Sequence, residues 1–131
     1  MIRWLDCIKY GLAPIIYGDG ETTMDFVFVK DVARANLAAL KANVSDQAFN
    51  IGTCKETSLK QLLHIMLDIN KSHLLPEFRE QDTINPVSRR CAENSKARQL
   101  LDFEPQTELK DGLYELSQWY FKKEKATIYS I

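Results

Sequence analysis

Glycine is scarce in this chain: five residues among 131. They are scattered, so no G-x-G-x-x-G and no G-x-x-x-x-G-K-[ST] loop is available to cradle a phosphate. A Tyr-x-x-x-Lys pair is also missing; Tyr120 is followed at the fourth position by Glu124. Charge of one sign is lacking too. The formal net charge is -1 with 27% charged residues, which excludes an electrostatic case for a nucleic-acid partner. Lys122, Lys123 and Lys125 form the one basic run, and it reads as a solvated helix end.

Cysteine is sparse. Cys7, Cys54 and Cys91 lie far apart with no C-x-x-C, so neither a disulfide framework nor a zinc site is implied. His64 and His73 have no companion ligands, and no metal is expected. No apolar run is long enough to span a bilayer, so no membrane role is expected. The first residues lack the apolar segment of a secretory leader, and the expected location is cytoplasmic.

What remains is an ordinary globular composition with 45% apolar residues, enough for one core. The spacing predicts short strands and about five helices, a mixed α+β arrangement. A first helix covers 2–10, with Gly11 as its stop. The central stretch runs from Pro14 to Ala33: a strand Ile15–Tyr17, a turn at Gly18-Asp19-Gly20, a strand Phe26–Val29, and a helix from Asp31 to about Asn43. That helix is rich in alanine and is expected to be largely buried. A strand over Ala48–Ile51 ends at Gly52. Thr57 or Ser58 caps the next helix, Ser58 with Gln61 offering a capping box, and Leu59, Leu62, Leu63, Met66 and Ile69 give its apolar stripe. His64 beside that stripe reads as packed or half-exposed.

Residues 72–94 read as an irregular segment with a short strand near Phe78. A loop of this length usually has a task. A short helix runs from Asn94 or Ser95 to Leu101. Thr107 then caps a last helix with Leu109, Gly112, Leu113, Leu116, Trp119 and Tyr120 on one face. Read from the residues alone, Tyr17 and Phe26 are strand aromatics of a core. Asp25 and Asp31 are turn or cap carboxylates rather than catalysts. Nothing local runs a reaction.

The order of Gly18-Asp19-Gly20, Met24-Asp25-Phe26-Val27-Phe28-Val29, Asp31-Val32-Ala33, Phe49-Asn50-Ile51-Gly52-Thr53 and Thr57-Ser58-Leu59 carries a resemblance. Arg79, Ser95-Lys96-Ala97, Phe103-Glu104-Pro105 and Leu109 through Trp119 continue it. Over about residues 1–121 the chain resembles the C-terminal, substrate-binding part of the extended short-chain dehydrogenase/reductases, specifically the NAD-dependent nucleotide-sugar epimerases and dehydratases. The resemblance implies that residues 1–131 are one such region without the Rossmann half. NAD would then belong to an intact parent, with no cofactor on this chain.

The implied ligand is a nucleoside-diphosphate sugar of UDP or dTDP type. Pro14, Ile15 and Tyr17 would run along the base, with Phe26 near the nucleotide and Leu59 near base or ribose. The glycine turn would bring Tyr17 and Phe26 to one wall. Arg79 would grip the diphosphate and Asp82 the ribose hydroxyls. Many members carry an arginine where this chain has Met24, which makes Arg89 or Arg90 the substitute. The glycine expected before Asp82 is Gln81. The implied partner is the missing Rossmann half or a second copy. The alternative is a non-catalytic nucleotide-sugar-binding or partner-docking module.

Overall fold

Ile2, Leu5 and Ile8 recur at helical spacing, and they form the first helix, α1 (Ile2–Tyr10), with Leu5 buried. Gly11 closes it in the left-handed conformation at φ 67°, its N–H bonding to the Cys7 carbonyl. The computed structural model from which these elements are read describes residues 1–80 and 87–128, with side chains through Lys122. The described chain continues through β1 (Ile15–Tyr17), β2 (Thr23–Asp25), α2 (Val29–Lys41), β3 (Glu56–Ser58), α3 (Leu59–Ile69), β4 (Glu77–Arg79), β5 (Arg89–Arg90), α4 (Ser95–Leu101) and α5 (Leu109–Ile128). It is the expected mixture of five helices and short strands. The chain divides into two compact units.

The first unit is built on Met1–Glu21, the stretch beginning at Ser58 and the stretch beginning at Lys110. Its sheet is a parallel pair, β1 with β4, in the register Ile15 to Glu77, Ile16 to Phe78 and Tyr17 to Arg79. Ile16, Leu63 and Leu67 form its core, with Trp4, Ile8 and Leu74 packed around them. A buried leucine or isoleucine contributes about 1.5–3 kcal/mol by leaving water. Trp4 spends its one polar atom on the Ile15 carbonyl at 2.9 Å, which ties α1 to the strand.

The capping box forms as the spacing predicts. The Gln61 amide donates to Ser58 Oγ at 3.2 Å, and the Ser58 amide donates to Gln61 Oε1 at 2.9 Å. His64 is exposed, with Asp68 one turn away at 3.6 Å. On α5 the buried positions are Leu113, Ser117 and Tyr120, while Trp119 is 53% exposed. The inward stripe keeps the expected face at Leu109, Gly112, Leu113, Leu116 and Tyr120, adds Ser117 and leaves Trp119 out. Two polar anchors set it: Ser117 Oγ donates to Asn70 at 2.5 Å, and the Tyr120 hydroxyl donates to Asp6.

The second unit holds Thr22–Thr57 and the described stretch ending at Leu109. Its sheet has the strand order β3-β2-β5, with β2 and β5 parallel, Thr23 against Arg89 and Met24 against Arg90. The core consists of Ala35, Ala97, Leu101 and Phe103. Four expectations fail here. The second strand lies at Thr23–Asp25 instead of Phe26–Val29. The helix starts at Val29, one turn's work earlier than Asp31 would allow as a cap, and its N-cap Phe28 makes no side-chain cap bond.

Asp31 is released from capping because its carboxylate is needed elsewhere. It is fully buried and accepts from the Gln106 amide at 3.3 Å, the Thr107 amide at 3.2 Å and the Thr107 hydroxyl at 3.4 Å. The third failure is Ala48–Ile51, which forms no strand among the described residues. Nor is α2 largely buried: Val29, Leu37 and Leu40 are exposed.

Candidate functional site

Two of the residues singled out from sequence meet on the first unit's sheet. Parallel pairing places Tyr17 and Arg79, 62 positions apart in the chain, directly beside each other at the ends of β1 and β4. The Gly18 amide donates to the Arg79 carbonyl at 2.9 Å, so the backbones are locked where the two side chains emerge. Tyr17 is 50% exposed and the Arg79 side chain 49%. An aromatic face and a guanidinium fork therefore stand together, open to solvent. That pair can stack a planar base and grip phosphate oxygens.

Arg79 is not idle. Its Nε and Nη2 donate to the two Glu77 oxygens at 2.8 and 3.1 Å. Donation to Glu77 raises the guanidinium pKa above its usual value and holds the carboxyl below its own. Glu77 and Arg79 are two apart on one strand and so share a face. That period was readable in the sequence, yet the pairing was missed. An incoming anion must displace Glu77 or share Arg79 with it.

The rest of the first unit's candidates behave differently. Pro14 is buried, and its carbonyl accepts from the Glu77 amide at 2.9 Å, so it anchors the strand pair. Ile15 and Leu59 are half-buried, Leu59 at the first turn of α3. Beside them the Gly20 carbonyl accepts from the Lys60 amide at 3.1 Å, and Lys60 Nζ lies 5.6 Å from the Phe78 ring centre. Lys60 was not foreseen. Asp82 lies outside the described residues.

Phe26, Arg89 and Arg90 belong to the second unit. Phe26 is half-buried and lines a cavity of about 240 Å³ with Thr53, Glu56, Pro105 and Leu109, whose rim carries the Lys55–Glu108 ion pair at 3.0 Å. The two arginines, adjacent in sequence, point to opposite faces of β5. Arg89 donates to Glu56 through Nη2 at 2.5 Å and Nε at 3.0 Å, and Thr23 Oγ1 donates to the same carboxylate at 2.5 Å. The Arg89 bond is the chief cause that holds the Glu56 carboxyl down to about 2. Arg89 is thereby a cross-strand brace. Arg90 sits on the other face, in register with Met24, and both arginines line an opening of about 440 Å³ with Asp25, Gly52 and Cys91.

Asp25 confirms the structural reading of the carboxylate after Met24. Thr53 donates to it through its amide at 2.9 Å and its hydroxyl at 2.5 Å, the Cys54 amide at 2.9 Å and the Ala92 amide at 3.2 Å. Partial burial pushes its pKa up, but these bonds win and hold it below the ordinary carboxylate range. The knot is tight: a Cβ on Gly52 would lie 2.4 Å from the Ala92 Cβ and 2.5 Å from Asp25 Oδ2.

Comparison with known proteins places this geometry. Residues 1–52 match the model of the NAD dependent epimerase/dehydratase family. A UDP-glucose 4-epimerase of Mycolicibacterium smegmatis is 32% identical over 118 residues, which cover 90% of this chain and 37% of that protein. The crystal structure of a UDP-glucose 4-epimerase from Thermotoga maritima, solved with UDP-glucose, superposes with a TM-score of 0.84 at 32% identity, covering 93% of this chain and 38% of that one. A Bacillus cereus UDP-glucuronic acid 4-epimerase, solved with UDP-glucuronic acid and NAD, superposes at 0.84 with 25% identity, over 92% of this chain and 39% of that one. The chain thus spans under two-fifths of the length of these relatives.

Proposed function

The chain belongs to the NAD-dependent epimerase/dehydratase family and matches the C-terminal part of its extended short-chain dehydrogenase/reductases, and from that premise we propose that it is the nucleotide-holding region of a nucleotide-sugar epimerase or dehydratase. The observation that carries the reading is the Tyr17–Arg79 pair, brought side by side by the β1–β4 register. Tyr17 offers a face to the base and Arg79 a fork to the diphosphate. Ile15 and Leu59 complete the apolar side, and Asp82 accepts from the ribose hydroxyls. The ligand is a nucleoside-diphosphate sugar of UDP or dTDP type.

Of the two arginines of β5, Arg90 is the one assigned to phosphate. Met24 brings no charge, and Arg90 is its cross-strand neighbour on the same face of the sheet. Arg89 is assigned to the Glu56 brace. Phe26 is kept as a contact near the nucleotide.

In such an enzyme NAD, where bound, would supply reversible hydride transfer at a sugar carbon. This chain's residues do not fit that cofactor: its five scattered glycines build no dinucleotide cradle, and no step through NAD is assigned to them. The contribution is remote binding energy, which orients a hexose held elsewhere in the longer protein.

Calorimetric titration of the 131-residue chain with UDP and with dTDP tests the reading. Binding should weaken about 10- to 100-fold in Arg79→Ala, the loss expected for charge-assisted hydrogen bonds of about 1.5–3 kcal/mol. Glu77→Gln should tighten binding, because it removes the competitor for Arg79. UDP affinity unchanged by Arg79→Ala would sink the proposal. So would turnover of UDP-glucose by the chain alone.

A further inference from the structure

Three thiols are present, and the fold treats them differently. Cys7 lies on α1 in the first unit and is half-buried. Cys54 and Cys91 both belong to the second unit, and both are exposed. They stand 37 positions apart in the chain, yet they converge on one atom. Asp25 Oδ2 accepts from the Cys54 amide at 2.9 Å and from the Ala92 amide at 3.2 Å. The Ala92 amide nitrogen is bonded to the carbonyl carbon of Cys91, so two hydrogen bonds to a single oxygen draw the two cysteine backbones together.

Further observations fix that approach. The two segments touch at Gly52 and Ala92, so closely that a Cβ on Gly52 has no room. The Asn94 amide donates to the Gly52 carbonyl at 2.9 Å, a second tie between them. Cys54 stands at φ 59°, in the left-handed region that a non-glycine residue keeps only when its surroundings hold it there. Its hydrogen bond to Asp25 does so. The Cys91 thiol also senses Cys54. Local desolvation is the first cause that raises its pKa, and the charges of Asp25, Glu56 and Cys54 push the same way, against Arg89. Neither thiol has a task in holding a nucleotide.

We propose that Cys54 and Cys91 are a redox-responsive dithiol, which a small disulfide of the glutathione class converts into an intramolecular bridge. Two exchange steps balance it. The Cys54 thiol gives its proton to solvent, and the thiolate attacks one sulfur of the small disulfide. A new S–S bond forms at Cys54, the reagent's S–S bond breaks, and the departing thiolate takes up a proton. The Cys91 thiolate then attacks the Cys54 sulfur of this mixed disulfide and displaces the second small thiol. The protein gives up two electrons and two protons, and the small disulfide is reduced to two thiols. Cys91 acts second because its thiolate is disfavoured, which an intramolecular attack tolerates. The bridge joins the two segments that both tether Asp25. Oxidation therefore latches the turn at 52–54 to the end of β5 without relying on the carboxylate.

The test incubates the folded 131-residue chain with oxidised glutathione, blocks the remaining thiols with iodoacetamide and maps the peptides by mass. The chain should lose two hydrogens, with Cys54 and Cys91 in one cross-linked peptide and Cys7 alkylated. Cys54→Ser and Cys91→Ser should each stop at a mixed disulfide on the other exposed cysteine, while Cys7→Ser should form the bridge as the parent does. The equilibrium constant for the bridge against glutathione should be at least about 10-fold higher in the folded chain than in urea, where chain length alone brings the thiols together. Amides of Cys54 and Ala92 should exchange at least about 10-fold more slowly once the bridge is closed. Two stable glutathione adducts on the parent, a bridge that includes Cys7, a constant no higher than in urea, or amide exchange unchanged by oxidation would each overturn the proposal.

Discussion

In the first unit, large side chains do the holding: Leu62, Leu63 and Met66 are each 2% exposed and Ile16 1%. In the second, the core cluster contains two alanines and two larger residues, while the leucines of the longest helix lie outside. What the second unit lacks in apolar volume it replaces with carboxylates. Asp25 joins β2 to Thr53, Cys54 and Ala92, and Asp31 joins α2 to Gln106 and Thr107. Packing is tolerant of local error, because many weak contacts share the load. A carboxylate tether is not, because losing it strands several buried donors at once. The two units should therefore fail in different ways.

Asp31→Ala should give the largest effect. It leaves two backbone amides and a hydroxyl without their acceptor and removes the buried partner of Arg34. About 3–5 kcal/mol is expected, the range for breaking a buried charged pair. Hydrogen exchange would show it: amides of Ala35 and Ala97 should lose protection, with those of Leu63 and Leu67 as the reference. Equal loss in both sets would break the distinction between the units.

Leu63→Ala is the matching cut in the first unit. It empties a site packed by Ile16 and Leu67. The cost should be about 2–5 kcal/mol, set by how far the neighbours relax into the gap. The denaturation midpoint should fall, and here the amides of the Leu62–Leu67 segment should open first.

The same contrast explains what was legible in the sequence. The first unit's signals are local. The Ser58–Gln61 box, the stripe through Leu62, Leu63 and Met66, and the Gly11 stop each span a few residues, and all three appear where the spacing puts them. The second unit's determinants span long separations. Asp31 looks like a helix cap in any short window, and only contact with residues 75 and 76 positions away reveals its use. Ala48–Ile51 has the alternation of a strand, but a ladder requires a second strand, and no local pattern tells whether one is there. Trp119 was assigned inward because its face is apolar, whereas Ser117 and Tyr120 hold the helix by their hydrogen bonds. At the site, Tyr17 and Arg79 were each singled out from the resemblance, but their adjacency follows from a parallel register that no motif encodes.

Ser58→Ala probes a smaller local determinant. The Gln61 amide loses its acceptor, and the return bond from the Ser58 amide loses its geometric partner. About 1 kcal/mol is expected, read as a shift in denaturation midpoint without a change in slope. A change in slope would mean that the cap also orders the chain before it.

The smallest effect is electrostatic, and its sign separates the carboxylates from the packed core. Glu56 is held at about 2 by Arg89 and Thr23. A carboxyl depressed in the folded state stabilises above its unfolded pKa near 4.5, and that contribution is lost as pH falls toward 2. Glu77 and Glu93 are depressed in the same direction, so they add to the same window. The melting temperature should therefore fall as pH drops from about 5 to 2, by at most a few degrees for any one exposed pair. Glu56→Gln should remove its share of that slope and leave stability at pH 7 slightly reduced. Because the Arg89 guanidinium is open to solvent, 1 M salt should shrink the difference between variant and parent. A slope that survives Glu56→Gln unchanged in both low and high salt would assign acid sensitivity to Asp25 and Glu93 instead. Their donors are backbone amides and hydroxyls, which salt does not screen away.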